Sequence, residues 1–205
     1  MKPFDSHYQH VPLYRRRLPH LSEPGLLVFL TWRLHSSLPT NRRFPAASLT
    51  SGKAFATADR LLDEARVGPV YLRQPLIADM IVEALFHTEK VLQLCTVQAF
   101  VVMPNHIHLL ATPSVPLSQF VKSLKGFTAK RANELLRLTG KPFWQDESYD
   151  HLVRDSSGAE KIRRYIEENP VRAGLAKAAE EYRWSSAGWL TGRSAADQEV
   201  CPTLA

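Results

Sequence analysis

Apolar and polar positions alternate along this chain on two different periods. After Gly25 the run Leu26 to Trp32 is apolar, β-prone and of strand length. From Ser51 to Arg66 the period lengthens: Phe55, Ala58, Leu61, Leu62 and Ala65 fall on one stripe, which predicts a helix stopped by Gly68-Pro69. A second helix is predicted from Pro75, a residue suited to a first turn, to about Glu89 through Ile77, Met80, Ile81, Ala84 and Leu85. Val91 to Met103 is a long apolar stretch that breaks at Pro104-Asn105 and resumes from His106 to Ala111. Two apolar runs around a Pro-Asn turn predict an antiparallel hairpin at the centre of a sheet.

A third helix is predicted from Gln119 to about Leu138, with Ser118 as its cap and Gly140 ending it. Phe143-Trp144-Gln145 and Tyr149 to Arg154 read as short strands or edge segments. A fourth helix, Ala159 to Glu168, would be capped by Ser156 or Ser157 and stopped by Asn169-Pro170. The class is therefore α+β, an antiparallel sheet with helices packed on it. Residues 1–190 are expected to form one domain that includes, over about 1–25, a basic N-terminal arm carrying Arg15, Arg16 and Arg17. Residues 191–205 read as a loose tail.

Composition narrows the partners. With 44% hydrophobic and 22% charged residues over 205 positions, the chain is neither disordered nor fibrous. No apolar run reaches the roughly 18 to 20 residues of a membrane-spanning helix, so no membrane partner is expected. The N-terminus lacks a signal peptide's apolar core, and two cysteines exclude a disulfide framework; both fit a reducing cytoplasm. Lys plus Arg number 26 against 20 for Asp plus Glu, a net charge of +6, which favours polyanions, nucleic acid first and anionic lipid second.

Three groups of residues can carry chemistry. In a strand His106 and His108 share a face with their side chains about 6 to 7 Å apart, close enough to bind one divalent metal. The plainer alternative is polar surface beside a turn. On a helix Tyr165 and Asn169 share a face one turn apart, pairing a nucleophile with a third metal ligand, with Glu168 as a substitute. The alternative is a core tyrosine and a helix stop. Lys122, Lys125, Lys130 and Arg131 on one helix, with Lys161, Arg163 and Arg164 before Tyr165, are either a solvated face or a phosphate-contacting set. Phe127, Phe143, Trp144 and Tyr149 can stack on unpaired bases or fill the core.

Together these pieces resemble a known family. Phe100-Val101-Val102-Met103-Pro104-Asn105-His106-Ile107-His108-Leu109-Leu110 is similar to the His-hydrophobic-His motif of single-tyrosine transposases. Tyr165-Ile166-Glu167-Glu168-Asn169-Pro170-Val171-Arg172-Ala173-Gly174-Leu175 resembles the tyrosine motif of one branch, the REP-associated tyrosine transposases. Arg16 to His20, Phe29 to Leu34, Phe143 to Gln145 and Tyr182 to Ser186 extend the likeness over roughly residues 14 to 190.

The resemblance implies a ferredoxin-like domain with a central antiparallel sheet. It implies that His106, His108 and Asn169 hold Mg²⁺ or Mn²⁺. Tyr165 would then attack a phosphodiester of single-stranded DNA beside a palindromic hairpin, leaving a 5′-phosphotyrosine and a free 3′-hydroxyl. Arg15, Arg16, Arg17, Lys122, Lys125, Lys130, Arg163 and Arg164 are the expected DNA contacts, and a nucleoid-associated cytoplasmic location follows. Whether the protein acts as a monomer or a homodimer is not set by the motifs, and Tyr149 is a rival nucleophile by residue type. Three other readings make different predictions: a hydrolytic nuclease using water, a domesticated hairpin-binding protein without strand transfer, and an RNA-binding module.

Overall fold

The computed structural model describes residues 13–15, 19–21, 23–38, 59–64 and 67–190. Two short strands, β1 (Leu13–Arg15) and β2 (Pro19–Leu21), pair antiparallel in the N-terminal arm. Strand β3 (Val28–Arg33), helix α1 (Pro75–Lys90), strands β4 (Cys95–Val102) and β5 (His106–Pro113), helix α2 (Leu117–Leu136) and strand β6 (Tyr149–Leu152) follow. They form a β-α-β-β-α-β unit whose sheet runs β4-β5-β3-β6, with every neighbouring pair antiparallel. This is the ferredoxin-like α+β arrangement, with the His-bearing strand in the interior. Helix α3 (Ser156–Arg172) and a short helix α4 (Ala187–Leu190) complete the described chain. No helix among the described residues is long and apolar enough to cross a membrane.

Strand periodicity sorts the core into two layers. Val28, Leu30, Trp32, Ile107, Leu109, Phe100 and Val102 pack against Ile77, Ile81 and Leu85 of α1 and Phe120 and Leu124 of α2. The alternate residues Phe29, Leu110, Ala99, Val101 and Met103 pack against Ile166 of α3. A β-bulge makes this sorting possible. Cys95 and Val97 share the α1/α2 layer, but the register shifts between Val97 and Ala99, so Phe100 rather than Ala99 faces those helices. One extra residue exchanges the two faces of a strand, which lets the large ring fill the thicker layer.

The exposed side of β4 is closed by the C-terminal segment. Val102 N–H donates to the Trp184 carbonyl (2.9 Å), Ser186 N–H to the Phe100 carbonyl (2.9 Å), and the Tyr182 hydroxyl to the Val102 carbonyl (2.9 Å). These bonds satisfy a strand edge that would otherwise stand open for association. At the other end of β3, Gly68 at φ +83° allows a close approach to Ser36, whose carbonyl would lie 2.1 Å from an added Cβ.

The helix boundaries differ from the sequence expectation in informative ways. α2 begins at Leu117, with Pro116 and not Ser118 at its N-cap, and ends in a left-handed Arg137 (φ 56°) ahead of Gly140. α3 is capped by Asp155, whose side chain accepts from Gly158 N–H at 2.7 Å, rather than by Ser156 or Ser157. It runs through Asn169-Pro170 to Arg172. Pro170 falls within the last turn, where a missing N–H costs one backbone bond. The end closes by Ala173 N–H to Asn169, Gly174 N–H to Val171 and Leu175 N–H to Pro170. The predicted stripe of helix 51–66 lies outside the described residues except for the helical segment 59–64, and the tail past Gly192 lies outside them altogether.

Because Asp155 caps the helix that carries Tyr165, Asp155→Ala should lower stability by about 1 kcal/mol. Urea unfolding of the two proteins measures this, and an unchanged midpoint would remove the cap from the account.

Candidate active site

His106 and His108 project from β5 to the α3 side of the sheet, and both are fully buried. Their Nε2 atoms lie 3.2 Å apart. The other ring nitrogens are engaged by protein oxygens. Asn105 donates from Nδ2 to the Leu62 carbonyl (3.0 Å), which turns its Oδ1 toward His106 Nδ1 at 2.7 Å. Since an amide oxygen only accepts, His106 carries its proton on Nδ1 and leaves Nε2 bare, the tautomer of a metal ligand. His108 Nδ1 lies 2.7 Å from Thr31 Oγ1, its partner across the β3–β5 ladder. A hydroxyl supports either tautomer there.

The helical segment 59–64 supplies what the strand lacks. Asp59 is buried, and its Oδ1 lies 3.1 Å from His108 Nε2 and 3.9 Å from His106 Nε2. Asp63, one turn on, places Oδ1 3.6 Å from His106 Nε2. The second oxygen of Asp59 accepts a hydrogen bond from the Tyr165 hydroxyl. Tyr165 packs edge-on to Phe29 and His108 at centroid separations of 6.2 and 5.7 Å, and the Arg172 guanidinium lies over its ring at 4.1 Å. Asn169 is fully buried beside them. With its amide turned to match its neighbours, it donates to Asp63 (3.1 Å) and accepts from Arg172 (3.0 Å) and His108 Nε2 (3.2 Å).

The electrostatics follow from this crowding. Burial raises the Asp59 carboxyl pKa, but His108, His106 and Arg172 together outweigh burial and hold it below its ordinary value. Asp63 is pushed up to about 7, by burial first and then by the charge of Asp59. Burial, with His108 next, drives His106 down to about 3, so its imidazole is neutral across the physiological range. Asp59, His106 and His108 thus form a buried group able to hold a metal ion, their ligand atoms within 4.8 Å of one another. Asp59 Oδ1 is buried and aimed at two imidazole nitrogens, with His108 Nε2 the nearer. A buried carboxylate oxygen facing two imidazole nitrogens is a donor set that suits a divalent cation of borderline hardness.

Four sequence-derived candidates, His106, His108, Tyr165 and Asn169, meet in this one site. Glu168 is exposed on α3, and Tyr149 is half-buried on β6 against Phe29 with its hydroxyl pKa raised by burial and by Asp150. The basic candidates lie elsewhere. Arg163 is bound to Glu160 and Glu167 on its own helix, and Arg164 is exposed, 4.0 Å from Glu160. Lys125 donates to the carbonyls of Gln145 (2.7 Å) and Asp146 (3.0 Å), while Lys122 and Lys130 stand exposed on α2. Arg15 lies in β1, and Arg16 and Arg17 lie outside the described residues.

Sequence reasoning missed Asp59, Asp63 and Arg172. The first two were legible only as carboxylates four apart interrupting a helical face that Leu62 buries. Arg172 was hidden by ending the helix at Pro170, which put it off the face it shares with Tyr165.

Residues 73–169 match the family model of IS200-like transposases, a span that holds His106, His108, Tyr165 and Asn169 and leaves out Asp59. The chain is similar to a solved REP-associated tyrosine transposase bound to a REP hairpin: 20% identity, 88% of this chain and 85% of that one covered, TM-score 0.55. That likeness shows the fold. A chain from Deinococcus radiodurans R1 described as a candidate transposase shares 19% identity over 80% of this chain and 97% of that one. Its TM-score of 0.30 is too low to bear on the fold. No curated protein matches significantly.

Calorimetric titration with Mn²⁺ should find one site per chain, abolished by His106→Ala or His108→Ala. Asp59→Asn should weaken it by about tenfold or more, as expected for a group at or next to the ion. Unchanged affinity in Asp59→Asn would return the third protein ligand to Asn169 alone.

Proposed function

We propose that this protein is a metal-dependent tyrosine transposase of the REP-associated type, cutting single-stranded DNA beside a palindromic hairpin and rejoining it. One observation carries the reading: the Tyr165 hydroxyl is hydrogen-bonded to Asp59, whose other oxygen faces the paired Nε2 atoms of His106 and His108. A nucleophile and a cation site share one buried carboxylate.

The residues have separable tasks. His106, His108 and Asp59 would hold Mg²⁺ or Mn²⁺, with Asn169 beside them; when bound, such a cation supplies Lewis acidity at a phosphoryl oxygen. Asn105 and Thr31 fix the two imidazoles. Asp59 orients the Tyr165 hydroxyl, and its phenol oxygen attacks phosphorus as the bond to the 3′ oxygen breaks. The proton lost by the phenol is balanced by the one the departing 3′-hydroxyl gains. The product is a 5′-phosphotyrosine, which retains the energy of the phosphodiester for rejoining. A free tyrosine has a pKa near 10, and Arg172 over the ring favours the phenolate through its positive charge. Lys122 and Lys130 are proposed phosphate contacts, Arg164 a further one, and the basic arm an element of hairpin recognition. The catalytic unit is proposed to extend to residue 190.

The test is a denaturing gel with labelled hairpin DNA taken from beside the gene and Mn²⁺ or Mg²⁺. A metal-dependent covalent band should vanish in Tyr165→Phe and persist in Tyr149→Phe, with hairpin affinity nearly unchanged. Cleavage without an adduct would instead indicate a hydrolytic nuclease; binding without cleavage would indicate a hairpin-binding protein. In the same assay Arg172→Ala should slow adduct formation by at least roughly tenfold while leaving hairpin affinity within a factor of a few. An unchanged rate would limit Arg172 to packing.

A further inference from the structure

Among the described residues, Gly126 has no reason in the fold. Gly126 lies in the middle of α2, where glycine is the least favourable residue after proline, and alanine there would meet nothing. An added Cβ has no heavy atom within 4 Å, and the backbone is not in the left-handed region. Its neighbours on the helix surface are not random. Lys122 and Lys130, four residues before and four after, stand in one column with it, both exposed. Helical rise puts the two lysine Cα atoms about 12 Å apart with a notch between them. Beside the notch Phe127 is 52% exposed, a large apolar ring that the core does not use. Ser123 and Gln119 continue the exposed face, and the acid at its far end, Glu134, is engaged by Arg131 at 3.2 Å.

We propose that this face of α2 is a binding surface for unpaired DNA flanking the hairpin. The proposal rests on the reading of the protein as a DNA-strand-processing enzyme and adds a second contact region to it. A sugar-phosphate chain crossing the Gly126 notch comes close to the helix backbone, with a lysine on either side to neutralise phosphates. The Phe127 ring offers a stacking platform to a base that is not already paired, which a duplex does not present. A second copy of the chain is a poorer fit, because the lysines of two like faces would repel and the one acid is already paired. The face lies on the α1/α2 side of the sheet, opposite Tyr165, so the strand it holds is not the scissile segment.

The test compares two fluorescent probes in EDTA, which prevents cleavage: the bare hairpin and the same hairpin with an unpaired oligothymidine tail. Wild type should bind the tailed probe more tightly. Phe127→Ser should weaken tailed binding by at least about fivefold and leave the bare hairpin unaffected. Gly126→Ala should raise Tm by about 2–4 °C, as a helix-interior alanine does, and still weaken the tailed probe. A more stable protein that binds less well does not arise from misfolding. The inference is overturned if Gly126→Ala stabilises the protein with tailed affinity unchanged, or if both probes weaken equally. It is likewise overturned if sedimentation shows either variant breaking up an oligomer. Wild-type binding to the hairpin with no gain from the tail would refute this surface alone, whereas binding to neither probe would refute the DNA reading itself.

Discussion

Two imidazoles at zero exposure in the centre of a sheet impose the constraint that organises the site. Each ring nitrogen removed from water needs a partner, and beyond the contact between the two Nε2 atoms the strand that carries them offers none. β3 supplies Thr31 to His108, the β4–β5 turn supplies Asn105 to His106, and the helical segment 59–64 supplies Asp59 to both. Asn105 in turn is fixed by the Leu62 carbonyl, so the segment that brings the carboxylate also sets the tautomer of the first histidine. Breaking any of these contacts leaves a buried polar atom unsatisfied, which is why the cluster is read as one unit.

The second consequence is electrostatic. Asp59 and Asp63 enter the same small volume, and their mutual repulsion, added to burial, pushes Asp63 up to about 7. His108 and Arg172 offset part of that charge, while burial keeps His106 neutral. The site therefore has the polarity of a cation receptor, with a buried carboxylate oxygen facing two ring nitrogens. The same carboxylate holds the Tyr165 hydroxyl, which couples the His106–His108 pair to the position of that tyrosine.

The architecture was largely legible because it depends on short-range patterning. The β4–β5 hairpin, the start of α1 at Pro75 and the α+β class follow from apolar periods of two and of about 3.6 with turn residues between them. His106 with His108 and Tyr165 with Asn169 were legible as pairs for the same reason, since spacings of two and four place side chains on one face of a strand or helix. Helix ends were less so: Asp155 rather than the serines after it caps α3, and Pro170 does not stop it. A proline near the end of a helix costs one bond, and local signals do not reveal whether packing outweighs that cost.

What the sequence by itself determined is each pair of like-facing residues and the strand or helix that carries it. What only the tertiary structure decided is which pairs meet. Asp59 is 47 residues from His106 and 106 from Tyr165, and no periodicity links them. Their meeting depends on how segment 59–64 and α3 pack over one face of the sheet. The same holds for the charges. Lysines spaced along α2 read alike in sequence, yet Lys125 turns to the carbonyls of Gln145 and Asp146 while Lys122 and Lys130 face solvent. Local pattern sets direction along an element, but burial and partnership are properties of the surfaces that elements present to each other.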